Sequence, residues 1–383
     1  YNDSNVLPPL KRPANNCKRN TAALHILKLQ ALHMPAEVPQ GCNLMSIFDR
    51  QTNERIADMN KKLRGDLMLI LAAMIWGSAF VAQKSGSDLM GPIAFNGVRI
   101  LIGGIVLLPV ISIMDRIKGG KNAGGEDGAA MPMTKEEKRA AWKNALKGGI
   151  LCGLALASAA GLQQLGICYT TAGKAGFITA LYVVIVPIFG LVFLKKKVRP
   201  VIWLCVIASA IGLYLLCIPS GGGFSHLNKG DMIMPICAIM FAMHILIIDN
   251  FSPKADGVRL SCIQFLTAGI VSLCFIWLDP LIGFSLPTLA AVLSNWLPLI
   301  YTGVLSCGVA YTFQIIAQAD TDPTVASMIL CLESVFAVIA GMLLLGESMD
   351  IREIIGCVIM FAAIVVAQLP EMPKAEQAVI SEE

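Results

Sequence analysis

The sequence predicts an all-α integral membrane fold with ten transmembrane helices arranged as two inverted five-helix repeats. The membrane class rests on composition, because 56% of the 383 residues are hydrophobic and only 15% are charged. It also rests on apolar blocks of span length. A span needs about 20 apolar residues, since the hydrocarbon core is about 30 Å thick and a helix rises about 1.5 Å per residue. A third observation, an internal repeat, predicts the two halves.

Ten apolar blocks are separated by Gly, Pro and charged residues, and we number them as spans one to ten. They cover residues 66–84, 92–114, 146–169, 172–194, 199–218, 231–249, 258–280, 293–316, 323–345 and 352–369. One long connection, 115–143, is rich in Gly and charge and is predicted to be a flexible cytoplasmic loop. The first repeat is therefore placed at 65–218 and the second at 230–369.

The two ends of the chain lack span-length apolar runs. Residues 1–64 are polar and hold five prolines, so we expect a disordered or weakly helical extension. Met59, followed by Asn60-Lys61-Lys62 and a span, reads as a natural start, which predicts that 1–58 are dispensable. Residues 370–383 are predicted to form a cytoplasmic tail.

Lys and Arg near the span ends predict the orientation, because cytoplasmic flanks are enriched in them. With ten spans and the N-terminus inside, eighteen of these residues flank the cytoplasmic side. The other side holds four, which are Lys84, Lys174, Lys229 and Arg352. The sequence thus predicts a multi-pass protein of the cytoplasmic membrane with both termini inside.

The second half of the chain echoes the first. Gly65-Asp66 opens span one and Gly230-Asp231 opens span six, 165 residues later. Gln163 and Gln314 match at an offset of 151, and the change of offset fits the long connection in the first half. Five spans per repeat require the halves to be inverted, as in many secondary transporters. A duplicated membrane scaffold with another task is the alternative.

Several segments resemble the EamA family of the drug/metabolite transporter superfamily. They are Ala73-Met74-Ile75-Trp76-Gly77-Ser78-Ala79-Phe80 in span one, Thr171–Phe177 with Leu181–Pro187 around span four, and Leu332–Phe336 with Leu345-Gly346-Glu347-Ser348 in span nine. The chain departs from the family pattern at Ser334, where the family commonly has Pro, so a kink there does not follow from the sequence. The resemblance implies ten spans, a central cavity, and export or exchange of small metabolites such as amino-acid-like or drug-like compounds.

Polar residues deep in the apolar blocks are the candidate site. Charge at the centre of a span costs about 2.5–3.5 kcal/mol on insertion scales, so such residues normally face a cavity or a partner. Arg99 lies in span two and Glu333 in span nine, where its repeat counterpart is Tyr182. The predicted substrate-binding set is Trp76, Asn96, Arg99, Gln163, Tyr182, Tyr311, Gln314 and Glu333. The alternative is that these residues only join helices through hydrogen bonds.

Coupling to protons is the remaining hypothesis for these residues, with Glu333 and His244 as the candidate carriers. The twelve cysteines show no CxxC or Cys/His metal spacing, so no metal or other cofactor is expected. The expected partners are a small-molecule substrate and the lipid bilayer. The basic stretch 135–147 is expected to touch anionic lipid rather than nucleic acid, and the sequence is compatible with a homodimer.

The predicted function is a secondary transporter working by alternating access, and no catalytic residue is assigned. The alternative function is an integral-membrane enzyme acting on a lipid-linked substrate. A paired His/Asp or Asp/Asp set on one cytoplasmic rim would favour the enzyme. A polar cavity open to only one side at a time would favour the transporter.

Overall fold

In the computed structural model, the described residues are 44–87, 90–123, 134–195, 200–217 and 228–368. The chain divides into two units, Tyr1–Met59 and Asn60–Glu383. Of the first unit, residues 44–59 are described, and they are helical. In the described part of the second unit every regular element is a helix, which confirms the all-α prediction.

The helices follow the predicted order of spans. In the first half they are Leu44–Ser87, Pro92–Ala123, Lys135–Ile167, Ala172–Thr179 with Tyr182–Leu194 (together span four), and Pro200–Cys217. In the second half they are Lys229–Phe251, Gly257–Cys274, Trp296–Ile300 continued by Tyr301–Tyr311 and Thr312–Gln318 (span eight), Pro323–Leu330 with Leu332–Leu345 (span nine), and Ile351–Gln368. Short helices Ser252–Lys254, Leu278–Leu281 and Leu289–Ser294 connect spans.

Eight of the ten expected spans are long and apolar enough to cross a bilayer, within the residues that the structure describes. They are Lys61–Ser87, Pro92–Arg116, Lys135–Ile167, Ala172–Phe193, Lys229–Lys254, Gly257–Cys274, Trp296–Gln318 and Pro323–Leu345. The helices at the positions of spans five and ten, Pro200–Cys217 and Ile351–Gln368, have 18 residues each. The multi-pass membrane class is therefore confirmed, and the count of ten remains a prediction.

The expectation for the connection between spans two and three is wrong for its described residues. The predicted flexible loop 115–143 is helical up to Ala123 and again from Lys135. The second helix starts so early because Thr134 and Glu137 form a reciprocal capping box, which satisfies the first backbone amides. The extension, expected to be disordered or weakly helical, is helical from Leu44 in its described part, where no Pro or Gly interrupts 44–64. Residues 1–43 and the predicted tail 370–383 lie outside the described residues.

The repeat appears in the packing of spans two and seven. A β-carbon on Gly104 would lie 3.0 Å from Leu266, and one on Gly269 would lie 2.6 Å from Leu101. Gly104 and Gly269 are 165 residues apart, and so are Leu101 and Leu266. Each span therefore places its glycine against the leucine of the other. Close approach through small residues is what holds helices together in lipid, and here the contact is reciprocal between repeats.

Candidate functional site

Spans four and nine are interrupted at matched positions in the two repeats. Span four breaks at Ala180–Leu181 and span nine at Cys331, which is 151 residues after Ala180. Just past each break a backbone hydrogen bond spans three residues instead of four, as in a 3₁₀ helix. The Val183 amide donates to the Ala180 carbonyl at 3.0 Å, and the Ser334 amide donates to the Cys331 carbonyl at 3.0 Å. The helix of span nine is thus interrupted although Ser334 stands where the family commonly has Pro.

A cavity lies between the spans beside these two breaks. The space open to the centre of a water molecule is about 30 Å³, room for two or three waters rather than for a metabolite. Seven spans contribute to its wall, from both repeats. The lining residues are Trp76, Phe80, Gln83, Arg99, Gln163, Thr179, Tyr182, Phe241, His244, Ile245, Ser306, Tyr311, Gln314, Leu330 and Glu333.

Most of the side chains singled out from the sequence meet at this cavity. Those that line it are Trp76, Arg99, Gln163, Tyr182, His244, Tyr311, Gln314 and Glu333. Asn96 is the exception, because it lies behind Arg99 and is fully buried. Their common location is established by the geometry, whereas their role in binding a substrate stays a prediction.

The wall is built largely from matched positions of the two repeats. At the offset of 165, Trp76 pairs with Phe241 and Phe80 with Ile245; at the offset of 151, Gln163 pairs with Gln314, Thr179 with Leu330, and Tyr182 with Glu333. Ten of the fifteen lining residues belong to these five pairs. The cavity therefore lies where the two repeats face each other.

Arg99 enters the cavity from span two. The start of that span is fixed by Asp279, whose carboxylate accepts from the Ile93 amide at 3.1 Å and the Ala94 amide at 2.9 Å. One turn further along, Asn96 accepts from Arg99 Nη2 at 2.9 Å and donates to Ser272 Oγ at 3.1 Å. The guanidinium is 3% exposed. Asn96 thus orients Arg99 from behind. Of the predicted substrate-binding residues, it is the one that contacts Arg99 without lining the cavity.

Tyr182 and Glu333 occupy the middle of the cavity wall, one from each repeat. They are 3% and 4% exposed, and the two side chains are near enough to interact. Even so, Tyr182 Oη and Glu333 Oε1 meet no described hydrogen-bond partner with good geometry. Buried polar atoms normally find a partner, in protein or ordered water. The pair therefore presents polar atoms to whatever enters the cavity.

An aromatic group forms the wall near span eight. The rings of Trp76 and Tyr311 lie with centroids 4.5 Å apart, and Trp76 Nε1 donates to the Ser306 carbonyl at 3.2 Å. Ser306 and Tyr311 lie in a π-helical segment, Tyr301–Tyr311. Such segments are rare and often occur at functional sites. The hydrogen bond explains how a tryptophan is accommodated in mid-span.

His244 reaches the cavity from span six. Its Nε2 lies 3.0 Å from Gln264 Oε1, and its ring packs edge-on to Tyr311 with centroids 5.9 Å apart. Its Nδ1 has no hydrogen-bond partner among the described residues. The ring is therefore fixed on one side and available on the other, which suits either proton transfer or substrate contact.

Seven lining residues were not predicted from the sequence. They are Phe80, Gln83, Thr179, Phe241, Ile245, Ser306 and Leu330. Helical spacing would have found two of them, since Phe80 and Gln83 follow Trp76 by four and seven residues. The repeat offset then gives Phe241 and Ile245 as counterparts. The same reasoning gives Thr179 and Leu330, since each precedes a predicted residue, Tyr182 or Glu333, by three positions and the two match at the offset of 151. Ser306 has no counterpart among the lining residues.

A second polar cluster closes the end of the bundle at which spans one and nine finish, the predicted external end. Glu347 Oε1 accepts from Lys84 Nζ at 3.0 Å and from the Ala172 amide at 2.9 Å, and its Oε2 accepts from the Gly173 amide at 3.3 Å. Lys84 also donates to the Thr170 carbonyl at 2.9 Å. A carboxylate from the second repeat therefore caps span four of the first.

No metal centre accompanies these sites in the part of the chain that the structure describes. No group of three or more His, Cys, Asp and Glu side chains there is placed to hold an ion. Glu333, the carboxylate of the central cavity, stands among aromatic, amide and hydroxyl side chains instead.

Comparison with known proteins places these features in a family. The EamA-like transporter family matches residues 63–218 and 228–368, one match for each repeat. The chain belongs to the EamA-like transporter family. The all-α membrane fold and the resemblance to drug/metabolite transporters are thereby confirmed.

Curated relatives of this family member are named as transporters. An uncharacterized transporter of Archaeoglobus fulgidus is 29% identical over 86% of this chain and 92% of its own length. The uncharacterized transporter YoaV of Bacillus subtilis is 22% identical over 78% and 94%. A chloroplastic WAT1-related protein of Arabidopsis thaliana is 23% identical over 79% and 69%. A crystal structure with 19% identity covers 79% of this chain and 96% of its own, with a TM-score of 0.52, which supports the fold.

Proposed function

We propose that this EamA-like transporter is a secondary transporter that moves a small metabolite across the cytoplasmic membrane by alternating access. The observation that carries the proposal is the cavity between the repeats, lined in large part by matched residues from both. In inverted-repeat transporters the substrate binds near the midplane between repeats, and one half rocks against the other. Amino-acid-like or drug-like metabolites, moved by export or exchange, suit the aromatic and polar walls, and the cavity would have to widen during the cycle to admit them.

Proton coupling is assigned to Glu333, with His244 as a second candidate. Glu333 is buried beside Tyr182, and neither it nor Arg99 belongs to an ion pair of the described residues. A carboxyl that is not tied up by a cation is available to bind and release a proton during the cycle. The charge state of the cavity would then differ between its two orientations.

The test is uptake into everted membrane vesicles over a metabolite panel, with Glu333→Gln as the critical variant. Gln is nearly isosteric with Glu but does not titrate. We expect the variant to lose most uptake, about tenfold or more, or to lose its dependence on pH, because a buried charged hydrogen-bonding group is worth about 1.5–3 kcal/mol. Uptake that survives unchanged at every pH, in protein that elutes as a single folded species on gel filtration, would remove Glu333 from the mechanism.

Orientation has a separate test with reporter fusions. A fusion after Arg116 and one after Lys197 should both report from the cytoplasm, and one after Gly222 from outside, because of the Lys and Arg bias around the spans. An external signal from the segment between spans two and three would contradict the ten-span topology.

The N-terminal extension has its own test, which is deletion of residues 1–58. Loss of function in that variant would contradict the expectation that these residues are dispensable.

A further inference from the structure

We propose that the substrate carries an oxyanion group, such as a carboxylate, and that Arg99 binds it. The proposal rests on the transport function proposed above and narrows the substrate to one chemical class. It starts from Arg99, a cation within the predicted membrane region whose side chain lines the cavity and is 3% exposed.

Most of the hydrogen-bonding capacity of Arg99 is unused by the protein. A guanidinium has five N–H donors in a rigid fork that matches a carboxylate. Nη2 donates to Asn96 at 2.9 Å, and Nη1 makes only a weak contact to Cys307 Sγ at 3.9 Å. Nε is buried and has no hydrogen-bond partner among the described residues. The donors that remain belong to a side chain that lines the cavity.

The charge of Arg99 is also not neutralised by a carboxylate of the described residues. Their ion pairs join Lys61 to Asp320, Lys84 to Glu347, Lys174 to Glu353 and Arg259 to Asp115. Arg99 belongs to none of these pairs, although Glu333 lines the same cavity. Buried charges are normally paired, because taking an isolated ion out of water is costly. An oxyanion on a bound substrate would supply the missing charge.

The other repeat shows that this position does not need a charge for packing. The counterpart of Arg99, 165 residues later, is Gln264, which is also fully buried and contacts His244. A neutral side chain therefore fills the matched position in span seven. Around Arg99, by contrast, Asn96 is held by Ser272 so that its oxygen faces the guanidinium. The first repeat orients a cation where the second holds an amide.

Matched acids and amides provide the test in detergent-purified full-length protein. The probes are acetate, lactate, benzoate and phenylalanine, each compared with its primary amide at constant ionic strength, and binding is followed by titration of the thermal midpoint. For at least one pair we expect the wild type to bind the acid about tenfold or more tightly than the amide, as for other charged hydrogen bonds. Arg99→Gln should bring that ratio close to one.

Two further variants separate recognition from folding. Arg99→Lys keeps the charge but loses the fork, so its ratio should fall between wild type and Arg99→Gln, and it remains informative if the Gln variant does not fold. Arg259→Gln is the matched control, because Arg259 pairs with Asp115 at 2.7 Å on a partly exposed surface away from the cavity. Its ratio should equal that of the wild type.

The proposal is overturned if no acid is preferred by the wild type, or if Arg99→Gln keeps the preference. Failure of the transport function gives a different result. In proteoliposomes, an acid that binds through Arg99 but does not cross the membrane would contradict transport and leave the recognition intact.

Discussion

Span four of the first repeat and span nine of the second share one backbone plan but differ in side-chain chemistry. Each is interrupted at the matched position, and each ends in a residue with left-handed backbone, Lys195 at φ 53° and Gly346 at φ 65°. The amides of these two residues donate to the matched carbonyls of Gly190 and Gly341. Backbone geometry is therefore duplicated down to single residues.

The side chains placed by that common backbone are not duplicated. Tyr182 follows the break in one repeat and Glu333 in the other. The cation Arg99 of the first repeat corresponds to the neutral Gln264 of the second. A symmetric cavity would offer a substrate two equivalent orientations. The repeats therefore share a backbone plan, whereas the polar side chains that it places around the cavity differ between them.

The largest difference in stability between the repeats is expected at Gly77 in span one, whose counterpart in the second repeat is Ala242. A β-carbon on Gly77 would lie 2.7 Å from the Glu333 carbonyl, against backbone that cannot move aside. We expect Gly77→Ala to cost about 1–3 kcal/mol of unfolding free energy through overpacking, and to displace Glu333. The reciprocal Ala242→Gly should cost about 1 kcal/mol. Equal costs in denaturant titrations would show that the two contacts are equivalent after all.

A smaller effect is expected from the carboxylate that links the repeats at the predicted external end. Glu347→Ala removes the acceptor of two backbone-amide hydrogen bonds and the partner of Lys84, so we expect a loss of about 1–2 kcal/mol in unfolding free energy. Lys84→Met should cost less, about 0.5–1 kcal/mol, since the pair is partly exposed. Because either variant removes the Lys84–Glu347 pair, the double variant should cost less than the sum of the two single losses. Fully additive losses would contradict that coupling.

The smallest effects are expected at the two left-handed positions, and they should have opposite signs. Gly346→Ala places a β-carbon on a left-handed backbone and should cost about 1 kcal/mol. Lys195→Gly relieves the same strain in the first repeat and should stabilise by about 0.5 kcal/mol, since the more flexible unfolded chain offsets part of the gain. Thermal midpoints in detergent measure both. A destabilising Lys195→Gly would show that its side chain holds that helix end.

Much of the fold could be read from the sequence because lipid imposes strong rules. The length of the apolar blocks follows from bilayer thickness, and the Lys and Arg bias follows from the orientation of the spans. The two repeat offsets can be counted directly in the sequence. The same rules single out Arg99 and Glu333, since a charge in a span is costly and normally faces a cavity or a partner. Helix ends outside the membrane, such as the start at Thr134, escape those rules because water satisfies an exposed backbone in many conformations.

The sequence by itself determined the membrane class, the family, the repeat and most of the polar residues that meet in the cavity. Tertiary structure alone decided where spans four and nine break and that Asn96 lies behind Arg99. It also decided that Arg99 and Glu333 form no ion pair with each other, and that Glu347 caps span four. The reason is physical. Apolar patterning reports burial one residue at a time, whereas a hydrogen bond or an ion pair depends on the distance between two atoms that only packing brings together or keeps apart.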